Sequence, residues 1–260
     1  MPDTIFSVQG LCKRFGDRVV LQGVSFDVAA GEVHGIMGPN GAGKTTCFHT
    51  LTGRYQPDAG RVTFDGRDVT GLAPRRIARL GIARSFQLMN LFDEYTALQN
   101  AMVAAPEFRE RGFDLVSEAW RAGPARERAA QVLEDVGLAG KEDTRAKDLA
   151  YGDRRALEIG VALAAAPRLL FLDEPTAGLG AEGTARLASL LARLRGRITM
   201  VVVEHDMRFL LALADRVSVI HWGQVIARGT PAELRANPWV QRSSLVTPDA
   251  APAAMVRGPI

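Results

Sequence analysis

At 260 residues the chain is long enough for one large domain or a core with a subdomain, and 47% hydrophobic with 23% charged content is ordinary for a globular protein. The net charge of +3 comes from bases interleaved with acids, only four of the 32 basic residues being lysine (Lys13, Lys44, Lys141 and Lys147), which reads as a solvated surface and not as a nucleic-acid stripe. Two cysteines, Cys12 and Cys47, exclude a disulfide framework or a Cys-rich metal site.

The opening Met1-Pro2-Asp3-Thr4 lacks a basic region followed by an apolar stretch, so no signal peptide is expected. Residues 5–15 and 24–28 alternate with period two, as half-buried antiparallel strands do. Residues 33–37 are a short apolar run that reads as a buried strand. It leads into Gly38-Pro39-Asn40-Gly41-Ala42-Gly43-Lys44-Thr45-Thr46, which fits the pattern G-x-x-x-x-G-K-[ST] at every fixed position. Residues 45–51 then read as a helix ending at Gly53. Strand, glycine-rich turn and helix are the context this motif needs. The glycines let backbone N–H groups crowd around a phosphate, and the helix N-terminus adds positive partial charge. Lys44 reaches the terminal phosphates, and the Thr45 hydroxyl is placed to ligate Mg²⁺. This stretch predicts a nucleoside-triphosphate site. Cys47, in the helix behind it, is expected to be a small packing residue.

Beyond the loop, residues 62–66 continue the strand style, with Asp65-Gly66 as a turn signal. Residues 74–80 predict a helix with proline in its first turn, and residues 82–86 a strand ending at Gln87. From there to about Ala150 the pattern is helical. Thr96-x-x-Gln99 is a capping box, residues 126–136 form a helix ended by Gly137, and residues 106–123 read as a surface excursion. A helix over residues 154–166 is stopped by Pro167. Residues 169–172 and 198–203 are continuous apolar runs, as central parallel strands are. Helices at residues 184–195 and 207–214 are expected between and after them. Residues 217–220, Trp222-Gly223 and 225–226 read as a closing hairpin, and residues 248–260, rich in Ala and Pro, as disordered. The longest apolar stretch, residues 161–172, is broken by Pro167 and Arg168 and is too short to span a bilayer. A soluble cytoplasmic protein is expected. The predicted fold class is α/β: a P-loop NTPase core with a mostly parallel central sheet, an antiparallel β subdomain and an inserted α-helical subdomain.

Four further places carry candidate chemistry. Residues 169–172 deliver Asp173-Glu174 to the end of a central strand, where open α/β sheets bind ligands. One carboxylate there can organise Mg²⁺ through water while the next polarises the water that attacks the γ-phosphorus; an acid pair at a helix N-terminus is the competing reading. His205 ends the next central strand and can hydrogen-bond a γ-phosphate oxygen. The Gln87 amide oxygen can ligate Mg²⁺. Tyr151-Gly152-Asp153 precedes a long helix, where N–H groups at Gly152 can meet an anion; an ordinary N-cap at Asp153 is the alternative.

In this order, the P-loop, Gln87, Leu149-Ala150-Tyr151-Gly152, Leu172-Asp173-Glu174-Pro175-Thr176 and Glu204-His205-Asp206 resemble the nucleotide-binding subunit of an ABC transporter, over roughly residues 5–246. The resemblance implies one ATPase domain over residues 1–246, with the helical subdomain at about residues 88–152 and a tail at 247–260. It implies ATP with Mg²⁺, the latter at Thr45, Gln87 and, through water, Asp173. Glu174 and His205 would be catalytic. Two such subunits, alike or related, would dimerise head to tail, so that Tyr151, Gly152 and Asp153 serve the partner's nucleotide. Phe15 would stack on adenine, packing in a strand core being its other role. Partners would be two transmembrane permease subunits and, indirectly, an external solute-binding protein, with the subunit peripheral on the cytoplasmic face of the membrane and no nucleic acid expected. Residues 81–87, 157–159, 203–207 and 229–234 are similar to importers of branched-chain amino acids, a group close to urea and short-amide importers. The departures are Ala150 for a serine, Arg154 for a glutamine, Gly180 for an aspartate, Phe15 for a tyrosine, and Arg242-Ser243-Ser244-Leu245 for a Tyr-Leu-Gly finish. A soluble ABC ATPase acting on ribosomes or DNA, and an inactive nucleotide-binding subunit, are the readings from other classes. One P-loop and a short helical insertion weigh against the first, Glu174 and His205 against the second.

Overall fold

The alternation at the start of the chain folds as two twelve-residue strands, β1 (Thr4–Phe15) and β2 (Arg18–Ala29), paired antiparallel. β2 begins six residues before the alternation announces it, because its first half pairs with β1 along the hairpin rather than burying a clean face. The computed structural model describes residues 3–85, 90–110, 123–238 and 240. The next elements are β3 (Val33–Met37), buried at all five positions, and α1 (Lys44–Leu51). β4 (Ala59–Phe64) and β5 (Arg67–Asp68) make a hairpin whose turn, Asp65-Gly66, has positive φ at both residues (52° and 72°), as a type I′ turn demands.

After α2 (Pro74–Arg79) and β6 (Ile82–Arg84) come α3 (Ala97–Ala104), α4 (Pro106–Glu110) and α5 (Pro124–Asp135). The capping box at α3 is complete: the Gln99 N–H donates to Thr96 Oγ1 and the Thr96 N–H to Gln99 Oε1. The expected surface excursion at 106–123 is in part α4, which starts at Pro106; residues 111–122 lie outside the described residues. α6 (Tyr151–Ala164) starts three residues earlier than the sequence indicates. Ala150 is its N-cap and gives no side-chain bond, so Asp153 is inside the first turn and not the cap.

β7 (Leu169–Asp173), α7 (Ala181–Leu194), β8 (Thr199–Val203), α8 (Met207–Leu213), β9 (Arg216–His221), β10 (Gln224–Gly229) and α9 (Pro231–Ala236) complete the described fold. The central sheet has the order β10-β9-β3-β8-β7-β6, parallel except for β10, and the other sheet the antiparallel order β2-β1-β4-β5. This is the α/β arrangement the sequence predicts.

β3, β7 and β8 are buried at every position, on both faces, which is why their sequences are runs and not alternations. Leu169 and Phe171 point toward the antiparallel sheet and α1, Phe171 meeting Phe6 at 5.5 Å and Phe48 at 6.0 Å. Leu170 and Leu172 join the opposite core, with helices α3, α5, α6, α7 and α8. A fully buried side chain of this size contributes roughly 1.5–3 kcal/mol. Cys47 packs in the first core, where burial pushes its thiol up to about 12. Among the described residues no helix is long and apolar enough to cross a membrane.

His34 lies inside the run read as apolar. Its Nδ1 is 2.9 Å from Glu32 Oε1, its Nε2 is 3.0 Å from Ser218 Oγ, and its ring stacks on Phe26 at 5.0 Å. Both ring nitrogens are thus partnered inside the core, as a buried polar group requires.

Candidate active site

The carboxyl ends of β3, β7 and β8 converge, and each delivers one part of the site. From β3 comes the P-loop. Gly41 and Gly43 have φ of 78° and 103°, which other residues adopt only with strain, and Gly43 is the N-cap of α1. At Gly38 a Cβ would collide with the carbonyl of Ile220, and the Gly223 N–H donates to Ala42 O at 2.9 Å, so the loop is wedged against the β9–β10 turn. Lys44 is buried and turned back on the loop, donating to the carbonyls of Gly38 (2.7 Å) and Pro39 (3.1 Å). Burial lowers its pKa below the ordinary lysine value, against the pull of Glu174, Asp173 and Glu204.

From β7 come the two carboxylates. Asp173 is 1% exposed, and its Oδ1 has no hydrogen-bond partner among the described residues. Burial first, then the neighbouring Glu174, raises its pKa to about 6. A buried carboxylate oxygen without a donor at the end of β7, and the hydroxyl of the exposed Thr45 at the head of α1, are oxygens of the kind that suits a hard divalent cation such as Mg²⁺. Glu174 is half-buried and lines the same open pocket of about 450 Å³ as Asn40, Gly41, Gly43, Lys44, Thr45, Thr46 and Phe15.

From β8 comes His205, exposed, with Nδ1 3.7 Å from Glu174 Oε1. Between the two strand ends stands Glu204, fully buried. Its Oε1 accepts from the Thr176 N–H (2.9 Å) and hydroxyl (2.5 Å), and its Oε2 from the N–H groups of His205 (3.0 Å) and Asp206 (3.3 Å). It staples the loop after β7 to the loop after β8.

Phe15 is 45% exposed at the pocket and is not packed in a strand core; Tyr55 meets its edge at 5.2 Å and the Lys13 ammonium stands 5.3 Å from its centroid. Arg18, directly across the hairpin from Phe15, lines the pocket too. Gly38, Pro39 and Ala42 belong to the loop without lining the pocket, and Gln87 lies outside the described residues. Tyr151, Gly152 and Asp153 are not part of this pocket. Tyr151 and Gly152 are exposed, and the Asp153 carboxylate accepts from Lys141 Nζ at 2.5 Å.

Glu204, Arg155 and Arg18 lie outside the candidate residues that the sequence marks. Glu204 had a signal, an acid directly after a fully apolar strand. Arg155 acts through Asp173, Glu174 and Pro175, distant in sequence, and Arg18 is marked only by its pairing with Phe15 across the hairpin.

Comparison with known proteins follows the same lines. The profile of a family described as ABC transporter matches residues 21–177. The high-affinity branched-chain amino acid transport ATP-binding protein LivG of Salmonella typhimurium is 40% identical over 252 residues, covering 94% of this chain and 99% of the relative. The corresponding protein BraF of Pseudomonas aeruginosa is also 40% identical, with the same coverage. The crystal structure of the ADP conformation of MJ1267, an ATP-binding cassette of an ABC transporter, superposes with a TM-score of 0.82 at 30% identity, covering 93% of this chain and 98% of that one.

Proposed function

The chain belongs to the ABC transporter family, and on that premise we propose that it is the ATP-hydrolysing subunit of an importer of branched-chain amino acids. The observation that carries the ATPase reading is that Lys44, Thr45 and Glu174 line one pocket, with Asp173 preceding Glu174 at the end of β7 and His205 3.7 Å from Glu174 at the end of the adjoining β8. The cargo rests on the two relatives named for branched-chain amino acid transport, each matched along nearly its whole length.

In this reading Phe15 stacks on adenine, and the loop from Gly38 to Thr46 cradles the phosphates with its N–H groups. Lys44 leaves its two carbonyls for the terminal phosphates. Thr45, Gln87 and, through water, Asp173 would hold Mg²⁺, which neutralises phosphate charge when bound. Glu174 polarises a water whose oxygen attacks the γ-phosphorus in line. The bond to the β–γ bridging oxygen breaks, giving ADP and phosphate. His205 hydrogen-bonds a γ-phosphate oxygen, and its nearness to Glu174 keeps the two groups in one arrangement. Two transmembrane permease subunits and a second ATP-binding subunit complete the machine, peripheral on the cytoplasmic face of the inner membrane, with a solute-binding protein acting from outside.

The test is ATP hydrolysis by the reconstituted transporter. Leucine, isoleucine or valine, delivered by the external binding protein, is expected to stimulate it, and Glu174→Gln to cut turnover by roughly 10²–10⁴ while ATP still binds. Stimulation by urea or a short amide but not by leucine moves the subunit to the neighbouring importer group. Stimulation by no solute overturns import.

A further inference from the structure

Glu174 holds a backbone conformation that its residue type disfavours, with φ at +44° in the left-handed region. Such a conformation persists when its surroundings over-determine it. β8 and Glu204 supply part of the restraint, through Val203 O and the Thr176 contacts, and one helix supplies another part. Arg155, buried on α6, donates through Nη2 to the carbonyls of Glu174 (3.1 Å) and Asp173 (3.4 Å), and through Nε to Pro175 (3.2 Å). Glu158, three residues along the same helix, accepts from that guanidinium at 2.5 Å. Tyr151, at the head of α6, donates its phenol to the carbonyl of Ala177 at 3.0 Å. A Cβ on Gly178 would stand 2.6 Å from the phenol oxygen, so a glycine keeps that approach open. A planar, forked donor suits three successive carbonyls in a way that a lysine ammonium does not.

We propose that Tyr151 and Arg155 are positioning residues for Glu174. The first two turns of α6 set the backbone of residues 173–177, and the carboxylate sits where the helix puts it. The inference rests on reading Glu174 as the group that polarises the attacking water, and it goes beyond that reading. The turn of α6 that would face a partner's nucleotide also grips the loop that carries this chain's own carboxylate, so a displacement at one is felt at the other.

Tyr151→Phe in the full-length chain tests this, because it keeps the ring and removes only the donor. A hydrogen bond of this kind corresponds to roughly three- to tenfold in an equilibrium or rate. Amide hydrogen exchange over residues 174–179 is therefore expected to quicken by about that factor, with exchange elsewhere unchanged. In ATP hydrolysis kcat is expected to fall by a similar factor while KM for ATP stays within about twofold. Added to Glu174→Gln, the same substitution is expected to give no further loss of turnover, since the group it positions is gone. Unchanged exchange over 174–179, an unchanged kcat, or a loss that multiplies with that of Glu174→Gln overturns the proposal. Near-wild-type turnover in Glu174→Gln alone is a different failure: it removes the role of Glu174 itself, whatever the exchange pattern shows.

Discussion

Asp173 is a carboxylate kept where its charge is costly. It is 1% exposed, Glu174 follows it in the chain, and one of its oxygens has no donor among the described residues. Its pKa is therefore raised to about 6 from a model-compound value of 3.8. The consequence for stability has a definite sign. Between those two values the unfolded chain gives up the proton before the folded chain does, so stability falls as pH rises, and it levels off above about 6. One pH unit of that window corresponds to about 1.4 kcal/mol. Urea unfolding without Mg²⁺ or nucleotide, at pH 5 and pH 7.5, is expected to show the wild type losing roughly 1 kcal/mol relative to Asp173→Asn, which stays neutral throughout. The same pH dependence in both proteins would show that Asp173 is not the group being titrated. Its neighbour Glu174 carries a cost of another kind, a left-handed φ of +44° that its residue type disfavours.

At the scale of elements, the site depends on two strand ends being fixed to one another. Glu204 does this with four accepted hydrogen bonds, two from Thr176 after β7 and one each from His205 and Asp206 after β8. Glu204→Ala takes from those partly buried donors the buried carboxylate they share, and a loss of roughly 2 kcal/mol is expected in urea unfolding. A loss under about 1 kcal/mol would mean that water replaces the carboxylate and the staple is dispensable. This element also shows what a sequence can and cannot disclose. The turn at Asp65-Gly66, the capping box at Thr96-x-x-Gln99, the P-loop and the doubly buried strands are legible because their causes lie within a few residues. Thr230-x-x-Glu233, the capping box of α9, is legible for the same reason. His34 and Arg155 were not legible. Their partners lie at Ser218 and at residues 173–175, and only the folded chain brings them together. The start of α6 is not legible because no capping side chain marks it; Ala150 holds the N-cap position while Tyr151 is tied to Ala177 across the fold.

For the whole molecule, the arrangement of surfaces points outward. The pocket lined by Phe15, the P-loop and Glu174 contains none of Tyr151, Gly152 and Asp153; Gly152 and Asp153 line a separate cleft of about 490 Å³ with Leu179, Glu182 and Leu190. If the head of α6 contacts a nucleotide, that nucleotide belongs to another subunit, and two pockets must close between two chains. Asn40 is exposed on the P-loop, and Gly152 is exposed with open space where a Cβ would stand, so a cysteine fits at either place without disturbing the fold. The buried thiol of Cys47, pushed up to about 12, stays inert in such an experiment, and Cys12→Ser removes the other. Chains carrying Asn40→Cys, mixed with chains carrying Gly152→Cys in a Glu174→Gln background, are expected to form a covalent dimer on oxidation with ATP and Mg²⁺ and far less of it without ATP. The ATP dependence follows from the closed state being held by contacts to the γ-phosphate from both chains, which Glu174→Gln leaves uncleaved. When the companion ATP-binding subunit is a related chain and not a second copy, the same pair of positions is expected to link across that heterodimer. A bond that forms within one chain, or equally well without nucleotide, would show that the head of α6 and the P-loop are not brought together by ATP between subunits.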